Sequence, residues 1–213
     1  MNIIVLAKAP VPGRVKTRLC PPLTKQQAAE VAMAALHDTL RAATAVRGAR
    51  TVLVLDGPAG SWIPDGLRVI PQRPGGLDER IAAAFVDSGG PALLVGMDTP
   101  QVDAALLTAA IEALFEPGID GVLGEADDGG WWAAGTRRPV PEAFRGVPMS
   151  TSRTHEHQLR RLMACGLRVA GLPRLRDVDT IDDAMAVARL APGTQFARAV
   201  NATAIVPVLR SHA

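Results

Sequence analysis

Ile3-Ile-Val-Leu-Ala7 runs directly into Lys8-Ala-Pro-Val-Pro-Gly-Arg-Val-Lys-Thr-Arg18, and that junction decides the fold. The first five residues are a short apolar run with β-branched members, which reads as a buried strand. The eleven that follow carry Lys8, Arg14, Lys16 and Arg18 on a loop punctuated by two prolines and Gly13, and no Asp or Glu precedes Glu30. A strand that opens into a cationic loop and then a helix is how an α/β protein builds a phosphate cradle. All three lysines, Lys8, Lys16 and Lys25, lie in this opening region, whereas the arginines extend from Arg14 to Arg210. An ammonium is a compact point charge suited to a single phosphate oxygen, so the placement matters chemically. Lys25 follows Thr24, a helix N-cap by residue type, and reads as a solvated helix residue.

Outward from this junction the pattern alternates. Helices are predicted over 25–45, 77–87, 103–115, 154–165 and 181–190. Strands are predicted over 51–55, 67–70, 92–95, 121–123 and 167–171. Repeated strand–helix units predict a parallel or mixed sheet covered on both faces, with ligands at the carboxyl ends of the strands. No repeat or boundary divides the chain, so residues 1–213 read as one α/β domain, with the last twenty or so carrying the weakest periodicity. Apolar residues make up 48% of the chain and net charge is only +2. The basic excess is thus local, which favours a small anionic ligand over nucleic acid. Three Trp, four Phe and no Tyr make a poor base-stacking surface for single strands. Two cysteines without metal-ligand spacing and no apolar run of spanning length point to a cytoplasmic protein with reduced thiols and no membrane segment.

Two further segments fall at predicted strand ends, and a third stands out for its acids. Gly96-Met-Asp-Thr-Pro100 sets the Asp98 carboxylate at the sheet edge, a hard oxygen ligand for Mg²⁺ or Mn²⁺, or else a turn cap. Asp127-Asp-Gly-Gly-Trp-Trp132 offers two glycines at a loop-to-strand junction that allow close backbone approach, and two indoles, one turned inward and one outward by strand alternation, that serve as a pocket wall or as core. In Arg176-Asp-Val-Asp-Thr-Ile-Asp-Asp183 a capping box accounts for Thr180 and Asp183. Asp177 and Asp179, on the same side of an extended chain, are left, and one of them could complete a metal site with Asp98. Ser150-Thr-Ser-Arg-Thr154 reads as helix caps, with hydroxyls that could meet an acceptor. His155 and His157, two apart on a helix, do not face one another. The Walker pattern and the G-x-G-x-x-G fingerprint are absent, which disfavours P-loop enzymes and Rossmann dehydrogenases.

Taken in order, AKAPVPGRVKTRL, the Pro-Pro-Leu-Thr continuation, GMDTP, EADDGGWW, GVPMSTS and LRDVDT resemble the bacterial GT-A-type, radical-SAM-associated glycosyltransferase family of the nucleotide-diphospho-sugar transferase superfamily. The first loop is also similar to that of 2-phospholactate guanylyltransferase and, more distantly, molybdenum-cofactor guanylyltransferase. The resemblance implies a GT-A fold, a mixed and mostly parallel sheet sandwiched by helices. It implies that Lys8, Gly13, Arg14, Lys16 and Arg18 hold nucleotide phosphates. Asp98 would bind Mg²⁺ or Mn²⁺ with Asp177 or Asp179. Lys16, Arg14 and Asp98 would be catalytic, while Asp128, Gly129, Gly130, Trp131, Ser150 and Thr151 would face the second substrate. Two departures stand out: the paired tryptophans replace smaller aromatics, and Gly96 removes the first acid of a D-x-D motif.

The four-cation loop favours nucleotidyl transfer from an NTP to a small phosphorylated or phosphonate acceptor, with pyrophosphate leaving. Glycosyl transfer from a nucleotide-sugar is the alternative, favoured by the family resemblance, and a non-catalytic nucleotide-binding protein is a second. Base, acceptor and oligomeric state stay open at this level.

Overall fold

The computed structural model describes residues 1–203; residues 204–213, part of the single domain expected over 1–213, lie outside the described residues. Seven strands form one sheet: β1 (Asn2–Lys8), β2 (Arg50–Asp56), β3 (Arg68–Pro71), β4 (Ala92–Gly96), β5 (Gly121–Ala126), β6 (Trp131–Thr136) and β7 (Val169–Leu175). Their order is β3-β2-β1-β4-β6-β5-β7. Every pairing is parallel except the two made by β6, which is antiparallel to both β4 and β5. The α/β class and mostly parallel mixed sheet expected from the sequence are therefore present.

Strand alternation sorts the core into two faces. Ile3, Val5 and Ala7 point to the side covered by α1 (Lys25–Thr44) and α3 (Ala104–Phe115), where they join Leu36, Leu40 and Leu107. Ile4, Val52 and Val54 point to the other side, covered by α2 (Leu77–Ser88) and α4 (Thr154–Ala164), among Ile81, Phe85, Phe144 and Leu162. The two phenyl rings Phe85 and Phe144 stack with centroids 4.5 Å apart. A third apolar cluster packs α5 (Ile181–Leu190) and α6 (Gln195–Ala202) on the outer flank of α1, through Val31, Val187, Phe196 and Val200.

Local signals set most boundaries. Thr24 and Gln27 form the capping box that starts α1, Asp103 caps α3, and Thr180 with Asp183 caps α5. Ser150–Thr154 differs from its expected capping role: no side chain caps α4. Instead the amide of His155 donates to the carbonyl of Gly129, 2.9 Å away, so a distant turn supplies the acceptor. The seventh strand also lies further along than 167–171, α6 has no counterpart among the predicted elements, and β6 is expected only as a strand opening after Gly130, with no far end. In β6, Trp131-Trp-Ala-Ala-Gly-Thr136 lacks the β-branched run that marks a strand, and pairing on both sides supplies what propensity does not. Among the described residues no helix is long and apolar enough to cross a membrane.

Candidate functional site

Strand β1 lies between β2 and β4, and the chain leaves β1 toward one face through α1 and reaches β4 from the other face through α2. This reversal of direction opens a crevice at the carboxyl edge, where open α/β sheets bind ligands. A cleft of about 690 Å³ occupies that edge. Lys8 ends β1, Asp98 follows β4, Asp128 follows β5, and Asp177 and Asp179 follow β7; because β6 runs the other way, its first residue, Trp131, belongs to the same rim.

One wall is cationic. Lys8, Arg14, Lys16 and Arg18 all line the cleft, but their surroundings differ. Lys16 adopts a left-handed backbone, φ 49° and ψ 37°, which is uncommon outside glycine. Its side chain is only 6% exposed, and its ammonium donates to Oδ1 of Asp98 and to the carbonyl oxygen of Val178. Arg18 is largely exposed and pairs with Asp179. Lys8 and Arg14 are exposed and make no ion pair among the described residues. Gly13 does not line the cleft. Its φ of 78° fits the turn, and a β-carbon there would face the flexible Lys25 side chain at 3.3 Å. Its part is to shape the loop that carries Arg14 and Lys16.

Acidic residues line the cleft beside these cations. Carboxylate oxygens of Asp128, Asp177 and Asp179 lie within 4.8 Å of one another. Asp98 stands close enough to add to the repulsion on Asp177, while its own Oδ1 is taken by Lys16. The Asp177 carboxyl is pushed up to about 6, chiefly by burial, with the negative charges of Asp128, Asp179 and Asp98 adding to it. Hard oxygens clustered in this way suit Mg²⁺ or Mn²⁺, so the donor set fits the expected ion. The grouping brings Asp177 and Asp179 together as ligand candidates and adds Asp128, which the sequence reading gave to the second substrate.

The remaining predicted residues frame the rest of the cleft. Gly130, Trp131, Ser150 and Thr151 line it. Gly129 lies behind the lining, with φ 85°; a β-carbon would fall 2.0 Å from the carbonyl oxygen of Ser152, so only glycine lets the 127–130 turn seat against the 150–154 loop. Alternation in β6 parts the two indoles. Both reach the cleft lining, but Trp132 is buried in the core, its Nε1 donating to the Pro173 carbonyl at 2.8 Å, whereas Trp131 is half-buried. His155 and His157 are not among its lining residues.

Two lining residues had no signal in the sequence. The Gln72 amide donates to the carbonyls of Ala7 and Val54 at 2.9 and 3.1 Å, locking the ends of β1 and β2. Its Oε1 accepts from Arg80 Nη1 at 3.0 Å, and Arg80 also reaches Asp56 at 3.4 Å. Gln72 sits in a Gly/Pro-rich connection and Arg80 in an ordinary amphipathic helix, so neither position is distinctive before the chain folds.

No curated protein matches the chain. Among solved structures, a candidate nucleotide-diphospho-sugar transferase of Desulfovibrio desulfuricans G20 superposes with a TM-score of 0.80 at 24% identity, covering 99% of this chain and 94% of the other. A CMP:2-keto-3-deoxy-manno-octonic acid synthetase complexed with CTP matches with a TM-score of 0.56 at 14% identity, covering 89% and 97%. A cytidylyltransferase of Leptospira borgpetersenii matches at 0.55 and 12%, covering 97% and 94%. At these identities the likeness establishes the GT-A-like fold. In sequence, the family model described as "Uncharacterized protein conserved in bacteria (DUF2064)" matches residues 24–151, more than half of the chain, and the protein belongs to that family.

Proposed function

We propose that this protein is a metal-dependent transferase that uses a nucleotide, moving a nucleotidyl group from an NTP to a small phosphorylated or phosphonate acceptor. The observation that carries this reading is that one cleft is lined both by a four-cation loop after β1 and by a carboxylate cluster from the loops after β5 and β7, with Asp98 after β4 beside them. An acceptor oxygen bonds to the α-phosphorus, the bond from that phosphorus to the bridging oxygen of the β-phosphate breaks, and pyrophosphate departs.

Lys8 and Arg14, without carboxylate partners among the described residues, would hold the β- and γ-phosphates and offset the charge that grows on the leaving group. Lys16 and Arg18 stand beside them. Asp177 and Asp179, with Asp128 or Asp98, would hold the divalent ion. What that ion supplies when bound is withdrawal of charge from phosphate oxygens. Trp131 gives the acceptor an apolar wall, and the hydroxyls of Ser150 and Thr151 give it polar contacts; Thr151 Oγ1 already shares a hydrogen bond of 3.2 Å with Thr154.

Glycosyl transfer from a nucleotide-sugar is the second reading. The description of the Desulfovibrio structure and the resemblance to the radical-SAM-associated family favour it, whereas the CTP complex and the cytidylyltransferase favour the first. The resemblance of the loop to 2-phospholactate guanylyltransferase adds GTP to the donors worth testing. A thermal-shift panel of NTPs and nucleotide-sugars, with and without Mg²⁺, separates the two. Stabilisation by NTPs that depends on Mg²⁺, followed by pyrophosphate release with a phosphorylated acceptor, is the expected result. Selective stabilisation by nucleotide-sugars would reverse the choice.

A further inference from the structure

The contact between Lys16 and Asp98 has a consequence that rests on the metal-using reading above. Four carboxylates crowd this end of the cleft, and the ammonium of Lys16 is already bound to one of them. It spends one N–H on Asp98 and another on the Val178 carbonyl, and its side chain is 6% exposed. A lysine held this way acts as a monovalent cation at the edge of an anionic cluster. A divalent ion among Asp128, Asp177 and Asp179, sharing Asp98 or lying beside it, would meet that ammonium at close range in a partly desolvated site, where like charges repel strongly.

We infer that Lys16 is an exchangeable cation. Its ammonium neutralises Asp98 until a divalent ion takes over the carboxylates, and it then swings on its four-carbon stem to the nucleotide phosphates. The geometry allows the transfer. Lys16 lies on the same loop as Arg14 and Arg18, so phosphates held by that loop are within its reach, and a lysine stem is flexible where an arginine fork is rigid. The left-handed backbone at Lys16 marks a position held by its surroundings against local preference, the kind of residue found in switch elements. Metal and nucleotide binding then become coupled: a nucleotide that draws Lys16 away from Asp98 strengthens metal binding, and by reciprocity metal strengthens nucleotide binding.

The test uses Mn²⁺ alone as the probe, titrated by calorimetry or by loss of its free electron-spin signal, against wild type, Lys16→Met and Lys16→Arg. With the charge removed, Lys16→Met should bind Mn²⁺ about tenfold more tightly than wild type without nucleotide. Lys16→Arg, which keeps the charge, should not gain affinity. An independent readout comes from amine acylation of the wild-type protein mapped by mass spectrometry. Only three lysines are present, and Lys8 and Lys25 are exposed. Lys16 should label slowly beside them in chelator, label faster once Mn²⁺ is saturating, and be protected again when an NTP is added. Mn²⁺ binding that is equal or weaker in Lys16→Met, with Lys16 labelling unmoved by Mn²⁺, would overturn the exchange and leave the metal-using reading standing. Failure of all three proteins to bind Mn²⁺ would reject that reading, and the exchange with it.

Discussion

The amide of Val178 donates to the carbonyl of Asp98 at 2.8 Å, tying the loop after β7 to the loop after β4. Those strands are not neighbours, since β6 and β5 lie between them. The two loops therefore bridge two strands to meet above the sheet, and Lys16 fastens the meeting point from the β1 side. This junction holds the Lys16 ammonium against the acids that line the cleft.

Lys16→Ala should abolish turnover and leave a folded protein, because the change removes a charge at the cleft and no core packing. Arg14→Ala, at an exposed and unpaired position, should weaken nucleotide binding while retaining measurable turnover. Thermal shift with each NTP, beside circular dichroism of the variants, checks both. An active Lys16→Ala variant would remove the loop from the phosphate site.

Asp177 predicts a pH dependence. Its carboxyl is raised from 3.8 to about 6, so between these values the folded chain holds a proton that the unfolded chain has released. The resulting stabilisation is full below pH 3.8 and is lost as pH rises through about 6. In chelator, Asp177→Asn should therefore melt above wild type at pH 7.5, by a smaller margin at pH 5, and close to it only near pH 3.8. Adding Mg²⁺ or Mn²⁺ at pH 7.5 should raise the wild-type midpoint and leave that of the variant nearly unmoved. A wild-type midpoint insensitive to both pH and metal over this range would count against the acidic cluster as a metal site.

Gly129→Ala should cost about 3 kcal/mol or more, since a methyl group at a positive φ is strained and this one also strikes a backbone carbonyl. Because the Ser152 oxygen belongs to the main chain, relief requires moving the 150–154 loop. Urea unfolding should record the loss, and acceptor affinity should fall with it. A variant as stable as wild type would show that the loop yields freely.

Asp38 is 2% exposed on α1, and its Oδ2 accepts from the amide of Phe196 in the first turn of α6 at 2.8 Å. Asp38→Ala leaves that buried amide unpaired and should destabilise the protein by about 2 kcal/mol. Asp38→Asn, which keeps an acceptor, should cost less. Amide exchange should show α6 opening first in the alanine variant.

Much of the fold is written locally. The apolar run 3–7, the capping pairs Thr24–Gln27 and Thr180–Asp183, and the long helical periodicities announce themselves within a few residues, because capping and amphipathic burial are short-range effects. Of β6 only the opening at Trp131 and Trp132 was legible, because the rest is held by partners on both sides; α6, although Thr194 caps it locally, is held by packing against α1 and by a bond to Asp38, 158 residues away.

The same division holds at the site. By itself the sequence determined which charged residues follow the first strands, and the rule that ligands sit at strand ends gathered Lys16, Asp98 and Asp128 onto one edge, while Asp177 and Asp179 stood out only as acids that the capping box did not use. Only the tertiary structure decided how those charges pair. It turned Lys16 onto Asp98, grouped Asp128 rather than Asp98 most closely with Asp177 and Asp179, and brought in Gln72 and Arg80. Order along the chain fixes the rim on which a residue stands. Distances between side chains depend on strand order, loop reach and backbone conformation at single residues such as Lys16, which no local pattern encodes.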